Sequence, residues 1–169
     1  PKFLDGVKQG SRNIDEVATA LRRGALGVDD VKDFKILKSA DEVNAAHLAR
    51  KPNDSPPWTG AVEELVTTQD EQFVRVFREK FPGDKSPQEW IVKRSVIEGK
   101  TPAQIKDILS LPGDPPTHVV DVNIPSKVAL RKGTAAKIEN FGNGGAQQYE
   151  IISSRQESWY VNPRSLEDL

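Results

Sequence analysis

The sequence predicts an α+β fold, with helices in the first part of the chain and a later part in which antiparallel strands dominate. Three observations carry this expectation. Through the first fifty residues apolar side chains recur every three or four positions, the spacing of one helix face. Residues 118–152 then read as strand, turn, strand, glycine hairpin and strand, with apolar residues at alternate positions. Between the two, Lys51-Pro52-Asn53-Asp54-Ser55-Pro56-Pro57 has no period at all, because each proline removes a backbone donor and restricts the residue before it. This stretch marks the expected boundary between a helical segment, residues 1–55, and an α+β domain, residues 56–169.

Taken in order, Ser11 or Asn13 can cap a helix in which Ile14, Val17, Ala18 and Leu21 share a face, and Gly24 stops it. Residues 28–37 form a second short element. Ser39-Ala40-Asp41-Glu42 opens a third, helical, running through Val43, Ala46 and Leu48. His47 lies inside it and has no second histidine at i+3 or i+4, so it reads as a packing or surface residue. After the prolines, residues 58–67 hold a strand over 61–66, and residues 72–78 have strong strand composition. There Arg75 shares a face with Phe73 and Phe77, and its guanidinium either snorkels to solvent or binds an anion at the mouth of a pocket. Arg78 is the exposed-end alternative. A loop with Pro82, Gly83 and Pro87 leads to a further strand or strand end over 89–95, in which Trp90 reads first as core. Thr101 as N-cap with Pro102 at the first helical position predicts a helix over Pro102–Leu109, with Ile105, Ile108 and Leu109 inward. The prolines of 112–116 end it.

In His118–Ile124, Val120, Val122 and Ile124 fall on one face while Val119 and Asp121 turn to the other, and Pro125 ends the strand. Lys127-Val128-Ala129-Leu130 forms a short strand before Gly133. Gly142-Asn143-Gly144-Gly145 supplies the positive-φ residues of a tight reversal. Residues 147–152 follow, with Gln148, Glu150 and Ile152 on one face and Gln147, Tyr149 and Ile151 on the other. An amide and a carboxylate beside a buried strand are costly unless paired, so Gln148 and Glu150 mark either a cleft or a solvated edge strand.

Composition narrows the function. At 169 residues the chain fits one ordinary domain, or a compact catalytic domain behind a small helical one. Cysteine is absent, which excludes disulfides, a thiolate nucleophile and a zinc–thiolate site. Methionine is absent too, and the start at Pro1 suggests a piece of a longer polypeptide. No apolar run approaches the roughly 20 residues that span a bilayer, and no basic-then-apolar signal is present. Residues 1–60 hold 10 basic and 9 acidic side chains and the remainder 14 and 16, so a nucleic-acid enzyme would need a local basic cleft on an acidic body.

No Walker loop, Rossmann fingerprint, zinc pair, serine elbow or calcium loop occurs, and no metal or cofactor of its own is expected. Chemistry by charge and proton transfer alone remains. RNA cleavage would need a base for the 2′-hydroxyl, an acid for the 5′-oxygen and a cation for the phosphorane; Arg75, Lys93, Arg94, Lys132, Thr134, Tyr149 and Glu150 offer these groups. NAD as substrate would instead need a carboxylate or amide, Glu150 or Gln148, to steady the ribosyl cation, and an arginine, Arg75, on the pyrophosphate. The candidate catalytic set is Arg75, Thr134, Gln148 and Glu150, and the substrate-binding set is Trp90, Lys93, Arg94 and Tyr149.

Short echoes spaced over residues 56–166 carry a resemblance: Pro57-Trp58, Phe73-Val74-Arg75-Val76-Phe77, Trp90, Leu111-Pro112, Val120-Asp121-Val122-Asn123-Ile124-Pro125, Gly133-Thr134-Ala135-Ala136 and Gly144-Gly145-Ala146-Gln147-Gln148-Tyr149-Glu150. Together this pattern resembles the C-terminal toxin domains of contact-dependent growth inhibition (CdiA-type) and related polymorphic toxin systems. The resemblance implies a domain secreted or displayed at the cell surface within a larger protein, acting in the target-cell cytoplasm and neutralised by a cognate immunity protein. The helical first part resembles a segment for entering the target cell, or a linker. Many such domains are ribonucleases of the barnase/EndoU/colicin/RelE-like fold, so a metal-independent ribonuclease acting on tRNA or another RNA is the leading expectation. The alternative is an NAD-consuming toxin. Phe141-Gly142-Asn143-Gly144-Gly145-Ala146-Gln147-Gln148 resembles the glycine-to-glutamine stretch of tuberculosis-necrotizing-toxin-like NAD glycohydrolases, and Gln148-Tyr149-Glu150 has the Q-x-E spacing of ADP-ribosyltransferases. A noncatalytic interaction module is the second alternative.

Overall fold

The computed structural model describes residues 14–79 and 88–169. The cap expected from Ser11 or Asn13 and the loop with Pro82, Gly83 and Pro87 lie outside the described residues. Helix α1 (Ile14–Arg22) buries Ile14, Val17, Ala20 and Leu21, as its apolar period requires. A single turn, α2 (Val28–Val31), follows. Residues 28–37 are not one element, because the chain next enters a strand, β1 (Lys35–Ser39). Its lysines hide any apolar alternation; what makes it a strand is the ladder it forms with a distant partner, a tertiary effect that local propensity does not encode. Ser39 then caps α3 (Ala40–Arg50), its Oγ accepting from Glu42 N at 3.1 Å.

Strands β2 (Trp58–Val66) and β3 (Glu71–Phe77) come next, then the two-residue β4 (Trp90–Ile91) and a helical turn α4 (Arg94–Ile97) where a longer strand end was expected. Helix α5 (Pro102–Leu109) matches its sequence signature. Thr101 Oγ1 accepts from Gln104 N at 3.2 Å and Gln104 Oε1 accepts from Thr101 N at 2.9 Å, a reciprocal box whose loss costs about 1 kcal/mol. Strands β5 (His118–Ile124), β6 (Ala129–Ala135), β7 (Gln147–Ile151) and β8 (Tyr160–Ser165) complete the fold. Strand β6 runs through Gly133 rather than stopping before it. A Cβ at Gly133 would come within 2.9 Å of the Trp58 ring, so this glycine permits a close approach, not a turn.

The strands form two open antiparallel sheets, ordered β1-β2-β6-β7-β4 and β3-β5-β8. They meet where Val74 and Val92 exchange backbone hydrogen bonds of 2.8 and 2.9 Å. Phe73, Val122, Leu130, Tyr149 and Ile151 form part of the main core. Full burial of each such side chain is worth about 1.5–3 kcal/mol. Strand β1 precedes the proline stretch and β2 follows it, yet the two pair in register from Lys35↔Leu65 to Ser39↔Ala61, and Val43 of α3 packs with Trp58 and Val62. The expected boundary at residues 55/56 thus falls inside a continuous sheet and a shared core. No helix of the described residues is long and apolar enough to cross a membrane.

Candidate active site

Along the seam between the sheets lies a cleft of about 390 Å³, within the usual range for small-molecule sites. Strand β3 contributes Arg75, Phe77 nearby, and β4 contributes Trp90; Gln148 comes from β7 and Phe141 from the β6–β7 connection. Charged groups of both signs line it, among them Arg78, Lys51, Asp54 and Glu89.

Gln148 sits opposite Gly133 in the β6–β7 ladder. The missing side chain at Gly133 is what lets the Trp58 ring lie against the sheet there. Gln148 is buried and its side chain donates from Nε2 to Pro57 O at 2.9 Å, so the amide is oriented by backbone rather than by a mobile side chain. Trp90 is half-buried, its ring 5.4 Å from that of Trp58 and 6.4 Å from that of His47. His47 is buried on α3 and lies 2.8 Å through Nε2 from Asp54 Oδ2. The packing role expected for it is therefore met by a pairing with the proline stretch, and it also lines the cleft.

Arg75 is nine-tenths buried and lines the cleft. Arg78, from the residue after β3, donates from Nη1 to Pro112 O at 3.3 Å. Tyr160 packs close by, its hydroxyl donating to Gln88 O at 2.7 Å. Burial pushes that phenol up to about 12 against the opposing pull of Arg155 and Arg75. For Glu89, burial acts upward, but a backbone hydrogen bond together with Lys51 at 3.2 Å and Arg155 at 4.0 Å holds the carboxyl below its ordinary value.

Glu150 shares the Gln148 face but joins a different structure. Lys38, Glu64, Arg131 and Glu150 occupy one face across four neighbouring strands: Lys38 Nζ is 2.9 Å from Glu64 Oε1, Arg131 Nε 2.8 Å from Glu64 Oε2, and Arg131 Nη1 3.0 Å from Glu150 Oε1. Glu64 is fully enclosed and Arg131 and Glu150 are buried. Burial alone would lower the basicity of Arg131, yet Glu150 and then Glu64 hold its guanidinium above the ordinary arginine value. This face is thus neither an open cleft nor a solvated edge along its whole length; it is an ion-pair ladder in the middle and a cleft at the Gln148 end.

The remaining sequence candidates lie apart. Tyr149 points to the opposite face, in the core, its ring 4.8 Å from Phe73. Lys93 pairs with Glu71 at 3.1 Å and sits 4.1 Å above the Phe73 ring. Arg94 pairs with Glu98 at 3.7 Å and donates to the Leu169 carbonyl. Thr134 stands in register with Thr59 and Gln147, outside the cleft lining. Arg75, Gln148 and Trp90 are therefore the three that the fold brings together. Phe141, Phe77 and Ser110 were not singled out as site residues from sequence; the glycines after Phe141 were the one local signal that this stretch approaches other backbone closely. Among the described residues no three His, Asp or Glu side chains gather in a metal-binding arrangement.

No protein-family model matches the chain, and comparison with curated proteins finds no match. Among solved structures, the chain is similar to one in the structure of Tne2 in complex with Tni2, with a TM-score of 0.47 and 20% sequence identity over 62% of this chain and 90% of that one.

Proposed function

We propose that the cleft is the active site of a toxin domain that consumes NAD by hydrolysing its nicotinamide–ribose bond. The observation that carries this reading is the convergence of Arg75, Gln148 and an aromatic lining on one cleft while Glu150 is held in the Arg131 ladder. In the proposed reaction the bond from ribose C1′ to the nicotinamide nitrogen breaks and its electron pair leaves with neutral nicotinamide. Water adds to C1′ and gives up a proton to solvent. The Gln148 amide oxygen steadies the positive charge that develops on the ribose, and the Arg75 guanidinium binds the diphosphate. Both groups are buried, where a preoriented dipole or charge acts with less screening than in water. On this reading the domain is delivered within a larger protein, acts in the target-cell cytoplasm and is neutralised by an immunity protein, as the toxin resemblance implies.

A ribonuclease is the second reading. His47 held by Asp54 beside the cleft favours it, since an oriented imidazole can serve as base or acid in phosphodiester cleavage. Expression in cells lacking immunity, with NAD and small RNA measured side by side, separates the two. NAD collapse with intact RNA, lost in Gln148→Ala and Arg75→Ala, is the expected result. RNA fragments with intact NAD would reject the NAD reading, and growth without either change would favour a noncatalytic module.

A further inference from the structure

We infer that Phe141 is the platform on which a planar base of the dinucleotide stacks, and that Asp107 is the residue that positions it. This assignment rests on the reading of the cleft as a dinucleotide site. Phe141 is half-buried on the cleft lining, carried by the connection of residues 136–146 between β6 and β7. Such a connection would ordinarily be mobile, and a mobile ring loses entropy each time a ligand orders it. Here it is fastened on both sides of Phe141. Asp107 Oδ1, on the last turn of α5, accepts from Asn143 N at 3.1 Å and from Asn143 Nδ2 at 3.0 Å, while Asp107 O accepts from Gly144 N at 2.9 Å. Ser110 Oγ reaches Ala136 O at 2.5 Å and Gly142 O at 3.2 Å. Lys106 donates to Leu111 O with its ammonium 5.7 Å from the centre of the Phe141 ring.

The glycines belong to the same device. A Cβ on Gly142 would stand 2.4 Å from Asp107 O and one on Gly144 2.4 Å from Ala135 O, so the connection lies directly on backbone. The result is an aromatic ring partly open to the cleft, carried by a connection that Asp107 and Ser110 tie to the end of α5. A ring so held loses little freedom on binding, and aromatic stacking accepts any base with a flat π-face.

The test is NAD turnover by the 169-residue chain and four variants, with melting curves for each. Phe141→Leu, which keeps apolar bulk and loses the flat face, should raise KM about tenfold or more while kcat stays within about threefold. Phe141→Tyr should keep the wild-type KM. Asp107→Ala should raise KM as Phe141→Leu does, and Asp107→Asn, which retains the accepting oxygen, should not. A wild-type KM in Phe141→Leu, or a loss confined to kcat, would overturn the stacking assignment. Equal behaviour of the two Asp107 variants would overturn the positioning role. If Phe141→Leu does not fold, the Asp107 pair and Phe141→Tyr decide the matter. Failure of the wild type to consume NAD overturns the site reading and this assignment with it, which distinguishes the two failures.

Discussion

Glu150→Ala and Gln148→Ala delete side chains two positions apart on one face of β7, and they should separate stability from activity. The ladder around Glu150 holds two cations, Lys38 and Arg131, and two carboxylates, Glu64 and Glu150. Removing Glu150 leaves two cations to share one enclosed carboxylate. Breaking a buried pair in this way costs about 3–5 kcal/mol. Arg131 keeps its 2.8 Å contact to Glu64, so the lower end, about 3 kcal/mol, is expected. For a chain of this size that is a fall in Tm of about 6–12 °C. Gln148→Ala removes one hydrogen bond, to Pro57 O, and should cost only about 1 kcal/mol. Its NAD turnover, however, should fall about a hundredfold, equivalent to about 2.7 kcal/mol of transition-state stabilisation. Urea unfolding followed by circular dichroism, with NAD consumption on the same preparations, measures both quantities. Adding Arg131→Met to Glu150→Ala should restore part of the lost stability, because Lys38 and Glu64 are then left as a balanced pair. Glu150→Ala with a wild-type Tm and no turnover would refute the reasoning and make Glu150 a catalytic group.

Two further outcomes follow from particular groups. The Tyr160 phenol is raised above its unfolded value near 10 to about 12, so the folded state favours the neutral form; the stability this supplies is complete below about pH 10 and is lost as pH climbs towards 12. Tyr160→Phe should flatten that alkaline decline in urea midpoint, and an unchanged decline would assign it to other groups. Gly142→Ala should drive the 136–146 connection off α5, lowering stability by about 1–3 kcal/mol, and a melting curve unchanged from wild type would show that the connection yields.

Much of the local structure was legible because its causes are local. Thr101 followed by Pro102 and Gln104 specifies a helix start through bonds that close within one turn, and the observed α5 has the expected bounds. The alternation of 118–124 and the face shared by Gln148 and Glu150 were readable from the two-residue period alone. Strand β8 was not, because Tyr160-Val161-Asn162-Pro163-Arg164-Ser165 has no apolar alternation and includes Asn162 at φ 58°; pairing with β5 is what holds it extended. Of the candidate site, Arg75 and Gln148 could be picked out as polar groups on apolar strands, whereas Tyr149, one residue away, differs from Gln148 only in the face it takes.

The sequence by itself determined the α+β class, the helix starts at Ser39 and Thr101 and the alternating faces of the central strands. Those are properties of single elements, set by backbone geometry and neighbouring side chains. Only the tertiary structure decided that Glu150 belongs to an ion-pair ladder and Gln148 to a cleft, for their difference lies in what stands opposite them on another strand. Arg131 faces Glu150 and a glycine faces Gln148, at register positions that no local pattern reveals.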